Sequence, residues 1–368
     1  MKYKILSNKW RPQNFNQIIG HKYTVKMIKN SLNFKKIHQS WLLSGMHGVG
    51  KTTIARILAK CLNCKIGITS IPCRKCKNCL SLEKGKFLDF IELDAASKTK
   101  VDDIKIMLDT TKYAPMCGRF KIYLIDEVHM LSKHSFNALL KILEEPPKYI
   151  QIYIATTNIH KIPKTIISRC LHIKLSYITL HNIYNFLKKI TKKENIKIKK
   201  EALKIISNTS QGSIRNALNT LEFIRSSVKN KTEIKKKYIF KLLGILDKKN
   251  VLKLAIEIIN NDFNKIFNIL NNAEKIGIQY SNIVSSLIIF FHKISLIKIN
   301  QKKKKKYNKI SKYKQKVYIL SKKISFKDLQ FYCKILLQGK HYLNNSPSPK
   351  IGFEIMLFQI FQYIKEKK

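Results

Sequence analysis

The sequence has few acidic residues. Asp and Glu number 22 against 72 Lys and Arg, so the 368-residue chain carries a formal net charge of +50. A charge of this size favours a polyanion as the binding partner. Lys, Ile and Asn are over-used along the whole chain, however, as they would be in a gene rich in A and T. Compositional drift is therefore the alternative source of the excess charge.

The sequence also lacks the apolar segments of a secreted or membrane protein. The N-terminal stretch MKYKILSNKWRPQNF has no apolar core of signal-peptide length, and the most apolar later run, 283–291, is too short to span a bilayer. These absences predict a cytosolic protein. Only eight cysteines are present, and five of them fall within residues 61–79. In a reducing cytosol, clustered cysteines are more often metal ligands than disulfides.

Short apolar runs alternate with helical patterns over about residues 39–175. Five strand candidates read SWLLSG, FLDFIELD, FKIYLID, IQIYIATT and LHIKL. Strands that alternate with helices predict a parallel sheet covered on both faces. From about residue 179 the apolar spacing is helical. Since the chain is too long for one ordinary core, we predict an α/β domain over 1–178, a small helical domain over 179–242 and a larger helical domain over 243–368.

The segment GMHGVGKT, residues 45–52, matches the eight-residue phosphate loop and lies between a predicted strand and a predicted helix. Glycines let backbone N–H groups surround phosphates, and the following helix adds its positive N-terminal end. Lys51 is predicted to reach the β and γ phosphates, and the Thr52 hydroxyl to bind Mg²⁺. The other predicted nucleotide-binding residues are Gly45, Met46, His47, Gly48, Val49, Gly50 and Thr53.

The segment IYLIDEVH, residues 122–129, is an apolar strand that ends in two carboxylates. They lie at the edge where open α/β sheets bind ligands. Asp126 is predicted to hold magnesium through water, and Glu127 to orient and polarise the attacking water. The next strand ends in ATTN, which makes Thr157 a candidate sensor of the γ-phosphate.

Two arginines extend this predicted site. Arg169, in ISRC, lies beyond Thr157 on the same edge of the sheet, and Arg215, in GSIR, begins a helix of the second domain. From there Arg215 is predicted to reach back to the phosphates. Each arginine taken alone is more often a surface residue, but their order and spacing after the nucleotide motifs favour a functional role.

Helical spacing indicates which of the five clustered thiols is not a metal ligand. Cys61 follows Ile57 by four residues and Leu58 by three, on the apolar stripe of the phosphate-loop helix. It is therefore predicted to be a buried thiol. The other four thiols form a C-x8-C-x2-C-x2-C pattern suited to a closed, structural zinc site: Cys64, Cys73, Cys76 and Cys79. A set that combines Cys61 and Cys64 with two later thiols is the alternative.

Motifs from about residue 5 to 225 resemble those of one family. KWRPQNFNQIIG, GMHGVGKTT, the cysteine module, DAASKTKVDDI, GRFKIYLIDEVHMLS, NALLKILEEPP, ATTN, KTIISRC and GSIRNAL occur in this order. They resemble the ATPase subunits of the bacterial DNA polymerase III clamp loader, the gamma/tau family of the AAA+ superfamily. The resemblance is diffuse after residue 225.

The resemblance implies an AAA+ P-loop ATPase domain with a parallel five-stranded sheet and a zinc-binding insertion at 61–80, followed by a helical lid and a helical collar that oligomerises. ATP, Mg²⁺ and a structural Zn²⁺ are the implied ligands, the zinc on the same four thiols. Arg169 would be an arginine finger that acts on ATP in the neighbouring subunit, and Arg215 would act on its own ATP. The implied enzyme is the ATPase component of the DNA polymerase III holoenzyme, a nucleotidyltransferase only by membership of that complex.

The implied function is an ATP-driven motor that loads a sliding clamp onto primed DNA. Its implied partners are sister subunits in a hetero-oligomeric ring, the clamp, primer–template DNA and, indirectly, the polymerase core, in the cytoplasm near the nucleoid. Contacts to DNA would follow backbone phosphates, and Lys98 and Lys100 are candidates for them. The basic run at 301–316 is either a solvated surface or a second such patch.

Three features depart from the family's pattern, and one of them, Asn158 in place of a usual Asp beside Thr157, is expected to have little effect. His21 stands where the family usually has Gln, which puts in doubt the details of an adenine pocket around Arg11, Pro12 and Ile19. The chain ends at residue 368 without a Pro-rich or charged linker, so the helicase-binding and polymerase-binding tail of the tau form is expected to be absent.

Three other functions fit parts of the sequence. A different AAA+ enzyme, such as a branch-migration motor, would lack the cysteine module. A clamp-loader scaffold that does not hydrolyse ATP would not need Lys51, Thr52, Asp126 and Glu127 together. A zinc-dependent DNA-binding module with an incidental ATPase would lose DNA binding on metal removal.

Overall fold

The structure is a computed structural model that describes residues 4–97, 101–228, 232–299 and 312–366. The chain forms two compact units, Met1–Glu233 and Ile234–Lys368. The first unit holds the α/β segment together with most of the segment predicted as a small helical domain. The boundaries predicted at 178 and 242 remain a prediction.

The first unit is built on a parallel five-stranded sheet, as the apolar runs predict. The strand order is β2-β3-β4-β1-β5, and every pairing in it is parallel. The strands are β1 Ser40–Ser44, β2 Phe90–Asp94, β3 Lys121–Asp126, β4 Ile150–Thr156 and β5 Leu171–Lys174. Every residue of β1 and β4 is buried, because helices cover both faces of the sheet.

The helices of the first unit surround the sheet and continue into a helical segment. Their bounds are α1 Leu6–Lys9, α2 Lys22–Asn33, α3 Lys51–Asn63, α4 Lys77–Lys84, α5 Val101–Asp109, α6 Lys133–Glu144, α7 Lys164–Ile167, α8 Leu180–Lys193, α9 Lys200–Thr209 and α10 Ile214–Ser226. Successive strand residues face opposite sides, so Leu43 joins a core cluster with Leu58 of α3 while Leu42 joins the other with Leu139 of α6.

The helical segment of the first unit has the apolar faces that its sequence spacing predicts. Ile183, Leu187 and Ile190 of α8 are fully buried, and so are Ala217 and Leu221 of α10. Ser213 caps α10, since its hydroxyl accepts a hydrogen bond from the backbone N–H of Asn216 at 3.2 Å. This cap fixes the start of the helix that carries Arg215.

The second unit is helical throughout its described residues. Its helices are α11 Lys236–Leu242, α12 Lys248–Asn260, α13 Phe263–Lys275, α14 Tyr280–Ile299, α15 Lys312–Lys323, α16 Phe326–Tyr342 and α17 Pro349–Glu366. By length and composition alone α14 is apolar enough to cross a membrane. Core helices of soluble proteins pass the same test, and one face of α14 is buried in the core of this unit at Ile283, Leu287, Phe291 and Ile294.

Candidate nucleotide and metal sites

A cavity of about 490 Å³ lies over the C-terminal end of the sheet in the first unit. Its walls come from four segments: the phosphate loop, the N-terminal segment around Trp10 and Arg11, the carboxylates after β3, and the start of α10. Parallel sheets bind ligands at this edge. The cavity therefore lies where the sequence predicts a nucleotide.

The phosphate loop has a backbone that only glycine adopts without strain. Gly45, Gly48 and Gly50 have φ angles of 152°, 73° and 115°. A Cβ on Gly48 would also collide with the Ser213 hydroxyl and lie 2.8 Å from the Cβ of Arg215. The loop is thus a bare backbone cradle of the kind that accepts phosphates, and the start of α10 closes directly over it.

Lys51 is the first residue of α3 and is almost completely buried. Its ammonium donates to the carbonyl oxygen of Gly45 at 2.8 Å and lies 3.6 Å from Glu127 Oε1. Burial lowers the pKa of Lys51, and the carboxylates of Glu127 and Asp126 oppose that shift. The side chain is held against the loop where the terminal phosphates of a nucleotide would lie.

Thr52 and Asp126 meet at the base of the cavity. The Thr52 hydroxyl donates to Asp126 Oδ2 at 2.7 Å. A hydroxyl and a carboxylate oxygen at this distance are hard oxygen ligands of the type that Mg²⁺ prefers. The pair fits the magnesium role predicted for Thr52 and Asp126.

Glu127 lies beside this pair and has several polar neighbours. Its Oε2 accepts hydrogen bonds from the Thr157 hydroxyl at 2.9 Å and from the Thr157 backbone N–H at 3.3 Å. The imidazole Nδ1 atoms of His47 and His129 lie 3.5 Å and 3.3 Å from its carboxylate oxygens. The backbone of Glu127 is left-handed, with φ of 50°, a strained conformation that is often found at functional sites.

The structure separates the two predicted arginines. Arg215 is exposed at the first turn of α10 and lines the cavity. Arg169 does not line the cavity. Its guanidinium instead donates to Glu144 Oε1 at 2.7 Å and to the carbonyl oxygen of Thr165 at 2.9 Å.

The residues predicted to surround the base lie together at the cavity, and His21 lies near them. Arg11, Pro12 and Ile19 all line the cavity. His21 Nε2 lies 3.3 Å from the carbonyl oxygen of Val49, so its ring lies against the phosphate loop. Burial lowers the pKa of His21, which favours the neutral ring.

No role was predicted from the sequence for two residues near the cavity, His129 and Glu92. His129 Nδ1 contacts the Thr156 hydroxyl at 3.2 Å as well as Glu127, and it lies only two residues past Glu127 within the quoted motif. Glu92 lines the cavity from β2. Its carboxylate pairs with Arg56 of α3, and no local motif in the sequence signals that pair.

The four cysteines of the predicted zinc pattern come together in space. The Sγ atoms of Cys64, Cys73, Cys76 and Cys79 all lie within 4.8 Å of one another. A tetrahedral zinc ion with Zn–S bonds of about 2.3 Å needs sulfur atoms about 3.8 Å apart. The four sulfur atoms therefore fit zinc if the distances between them shorten slightly. Two ligands of the set, Cys64 and Cys79, are buried.

Hydrogen bonds favour the thiolate of one member of this donor set, and Cys61 lies outside the cluster of four sulfur atoms. Backbone N–H groups of Lys75 and Cys76 lower the pKa of the Cys73 thiol to about 6, whereas burial raises the pKa of Cys79. Cys61 is fully buried in the core cluster that contains Leu43 of β1 and Leu58 of α3, and burial raises the pKa of its thiol.

The cysteine module is attached to the ATPase core by side-chain hydrogen bonds to the backbone. Asn78 Nδ2 donates to the carbonyl oxygen of Asn63 at 3.0 Å, and Arg119 donates to the carbonyl oxygen of Cys64 at 2.6 Å. Asn63 Oδ1 accepts from the backbone N–H groups of Arg119 and Phe120.

Two predicted phosphate contacts, Lys98 and Lys100, and residues 301–311 of the basic run lie outside the described residues.

Comparisons with known proteins identify relatives over almost the whole chain. Residues 20–179 match the model described as DNA polymerase III, delta subunit, residues 185–225 the RCF1/5-like AAA+ ATPase lid domain, and residues 234–367 domain III of DNA polymerase III subunits gamma and tau. The DNA polymerase III subunit gamma of Buchnera aphidicola subsp. Schizaphis graminum is 49% identical over 99% of this chain and 100% of its own length. The DNA polymerase III subunit tau of Escherichia coli is 37% identical over 99% of this chain and 56% of its own length.

Similar solved structures include the Thermotoga maritima RuvB Holliday junction branch migration motor. It has a TM-score of 0.49 and 22% identity, over 68% of this chain and 80% of that one. The Bacillus subtilis DNA clamp loader delta protein has a TM-score of 0.38 and 14% identity, over 92% and 99% of the two chains. The family assignment rests on the sequence relatives and not on these structures.

Proposed function

The chain belongs to the family of DNA polymerase III gamma and tau subunits, and on that premise we propose how its residues act in an ATP-driven clamp-loader motor. It is an AAA+ ATPase subunit of a hetero-oligomeric clamp loader. The observation that carries the mechanism is the cluster in which Lys51, Thr52, Asp126, Glu127 and Thr157 meet at one end of the cavity.

ATP would bind with its base among Arg11, Pro12 and Ile19 and its phosphates along the backbone N–H groups of residues 45–53. Lys51, already buried against the loop, would neutralise charge on the β and γ phosphates. Thr52 and Asp126 would hold magnesium, which would supply positive charge to offset the negative charge of the phosphates. These contacts orient the terminal phosphate for in-line attack.

Glu127 would orient the attacking water and accept its hydrogen bond. The hydrogen bonds from Thr157 to Glu127 support this role, because they connect the γ-phosphate sensor directly to the carboxylate. Arg215 on α10 would contact phosphate in the same subunit, and the close approach of Gly48 to Arg215 supports that reach. Movement of α10 would thus respond to the state of the nucleotide.

Arg169 would act on ATP of the neighbouring subunit. Its position away from the cavity of its own chain supports a role in trans. A finger supplied by a neighbour stabilises the transferred phosphoryl charge only once the ring has assembled. Hydrolysis would then follow assembly of the subunits around the sliding clamp and primer–template DNA.

The cysteine module would hold one structural zinc ion on Cys64, Cys73, Cys76 and Cys79. All four positions of a tetrahedral site come from protein, so no position remains for substrate water.

The further partners are the sliding clamp, primer–template DNA and, indirectly, the polymerase core, in the cytoplasm with the nucleoid. Classification with DNA-directed DNA polymerases, which are nucleotidyltransferases, would follow from membership of the holoenzyme alone.

Binding of a fluorescent ATP analogue to the purified chain tests the nucleotide site. We expect binding that depends on Mg²⁺. Lys51→Ala should weaken it by at least about 10-fold, because the substitution removes a buried ammonium from the phosphate loop. Lys148→Ala, which removes an exposed lysine, is the matched control and should bind like wild type. Equal affinities of Lys51→Ala and wild type would refute the assignment of the phosphate loop.

A further inference from the structure

A buried lysine outside the nucleotide cavity joins two distant segments of the first unit. Lys60 lies in the last turn of α3, and its side chain is 3% exposed. Its ammonium donates to the side-chain oxygens of Gln13 and Glu83, the second at 3.1 Å. Burial lowers the pKa of Lys60, and Glu83 opposes the shift. A buried charge is costly to retain without such partners.

One partner of Lys60 belongs to the cysteine module. Glu83 lies one turn after Cys79 on α4, and its Oε1 also accepts a hydrogen bond from Arg74 Nε at 2.9 Å. Arg74 lies between Cys73 and Cys76 and has a left-handed backbone, with φ of 58°. The same carboxylate oxygen therefore joins the cysteine loop to the ammonium of Lys60.

The other partner leads into the nucleotide cavity. Gln13 Nε2 donates to the carbonyl oxygen of Arg11 at 3.1 Å, and Arg11 Nε donates to the Thr53 hydroxyl at 3.2 Å. Arg11 and Thr53 both line the cavity. A series of hydrogen bonds therefore runs from the cysteine loop, through Lys60 and Gln13, to the backbone of Arg11, whose guanidinium lies in the nucleotide site.

We propose that Lys60 is a positioning residue that couples metal binding in the cysteine module to nucleotide binding in the cavity. The inference rests on the zinc and ATP sites of the proposed function. With the cysteine loop ordered, Arg74 donates to Glu83 and holds its carboxylate in place. Glu83 then holds the ammonium of Lys60, which fixes Gln13 and through it the backbone of Arg11. Coupling between two binding sites is reciprocal, so nucleotide should strengthen zinc binding by the factor by which zinc strengthens nucleotide binding.

The test measures this coupling in both directions in the full-length chain. The affinity for ATPγS is titrated with zinc-loaded and zinc-stripped protein, and the affinity for zinc is measured by competition with a zinc-selective indicator, with and without saturating ATPγS. Mg²⁺ is present throughout. In wild type we expect zinc to strengthen ATPγS binding by about 5–20-fold, and ATPγS to strengthen zinc binding equally.

Lys60→Met removes the ammonium but keeps a flexible chain of similar length. We expect this variant to bind one zinc and ATPγS with a coupling factor below about 2-fold in both directions. Lys84→Met is the matched control, because Lys84 adjoins Glu83 but is exposed. It should keep the wild-type factor.

A coupling factor as large in Lys60→Met as in wild type would overturn the inference. It would also be overturned if wild type bound ATPγS with the same affinity in its zinc-loaded and zinc-stripped forms. If Lys60→Met fails to fold, Gln13→Leu carries the same expectation, because it leaves the pair of Lys60 and Glu83 in place. A folded wild-type chain that binds zinc but no ATPγS would overturn both the proposed nucleotide site and the coupling. If the chain binds both zinc and ATPγS without coupling, only the coupling is overturned.

Discussion

At the scale of single residues, the contacts of Glu127 are consistent with the water-orienting role proposed for its carboxylate. Its Oε2 accepts from the backbone and the hydroxyl of Thr157, while Oε1 faces the ammonium of Lys51 at 3.6 Å. These partners hold the carboxylate in one orientation. A group that only stabilised the fold would not need to border the same cavity as the phosphate loop.

Replacement of Glu127 by Gln should separate binding from chemistry. Glu127→Gln keeps the shape and one acceptor oxygen but no longer activates water, so ATP turnover should fall by roughly 100-fold or more. The affinity for ATP should change by less than about 3-fold, because the phosphate loop and Lys51 are intact. Turnover close to wild type, measured by phosphate release, would remove Glu127 from the reaction.

A second carboxylate, Glu194, has a structural role with a defined pH dependence. It follows α8, is 7% exposed, and accepts hydrogen bonds from Lys9 Nζ and Trp10 Nε1, each at 2.9 Å. Burial would raise the pKa of Glu194, but these hydrogen bonds outweigh burial and lower the pKa below its ordinary value of 4.5. The stabilisation is therefore complete above about pH 4.5 and is lost as the pH falls through the lower pKa of the folded state.

Glu194→Gln should reduce the free energy of unfolding of the first unit by about 1–2 kcal/mol at pH 7, because charge-assisted hydrogen bonds become neutral ones. The difference from wild type should persist down to about pH 5 and shrink below pH 4.5. Thermal denaturation across this pH range measures it, with the exposed Glu145→Gln as control. A difference that grows on acidification would contradict the assignment.

At the scale of elements, α3 links three functional parts of the first unit. It begins at the phosphate loop with Lys51, carries the buried Cys61 on its apolar face, and ends at Asn63 next to the cysteine module. Asn63 also holds the loop before β3 through hydrogen bonds to the backbone of Arg119 and Phe120. One helix therefore orders the segments before and after the cysteine module.

Zinc content distinguishes the two possible sets of ligands in that module. Cys61→Ala should retain one zinc per chain, because Cys61 lies in the core and outside the cluster of four sulfur atoms. Cys76→Ala should lose zinc or bind it far more weakly, because three thiolates remain. Both are measured by metal analysis after removal of loosely bound ions. Loss of zinc in Cys61→Ala with retention in Cys76→Ala would reverse the ligand assignment.

The elements and the motifs were largely predictable from the sequence, because their signals are local. The five strands are short apolar runs, and the phosphate loop is marked by its glycines. Contacts between distant residues were predictable where both residues belong to known motifs, such as Thr52 and Asp126, but not elsewhere. In the sequence, Lys60 is an ordinary basic residue near a helix end. Its partners Gln13 and Glu83 lie 47 and 23 positions away, so no local pattern indicates the contacts. The reach of Arg215 toward the phosphates was predicted, but the close approach of Ser213 to Gly48 was not, because it depends on how α10 packs within the first unit.

At the scale of the whole molecule, one residue of the proposed mechanism has no role within its own cavity. Arg169 follows α7 and pairs with Glu144 at the end of α6. Surface ion pairs of this kind contribute little stability, so the guanidinium can leave Glu144 at small cost when a phosphate of a neighbouring subunit becomes available. A complete active site would thus require two adjacent subunits.

The most direct test of the clamp-loader motor measures ATP turnover of the chain in three settings: alone, with its sister clamp-loader subunits, and with those subunits plus sliding clamp and primed DNA. We expect slow turnover alone and strong stimulation by the full set. Arg169→Ala in the same assembly should still bind ATP but lose most of the stimulated hydrolysis, by roughly 10³-fold if it acts as an arginine finger. Absence of stimulation by the full set would contradict the clamp-loader function, and stimulated turnover that survives Arg169→Ala would contradict the role of Arg169 in trans.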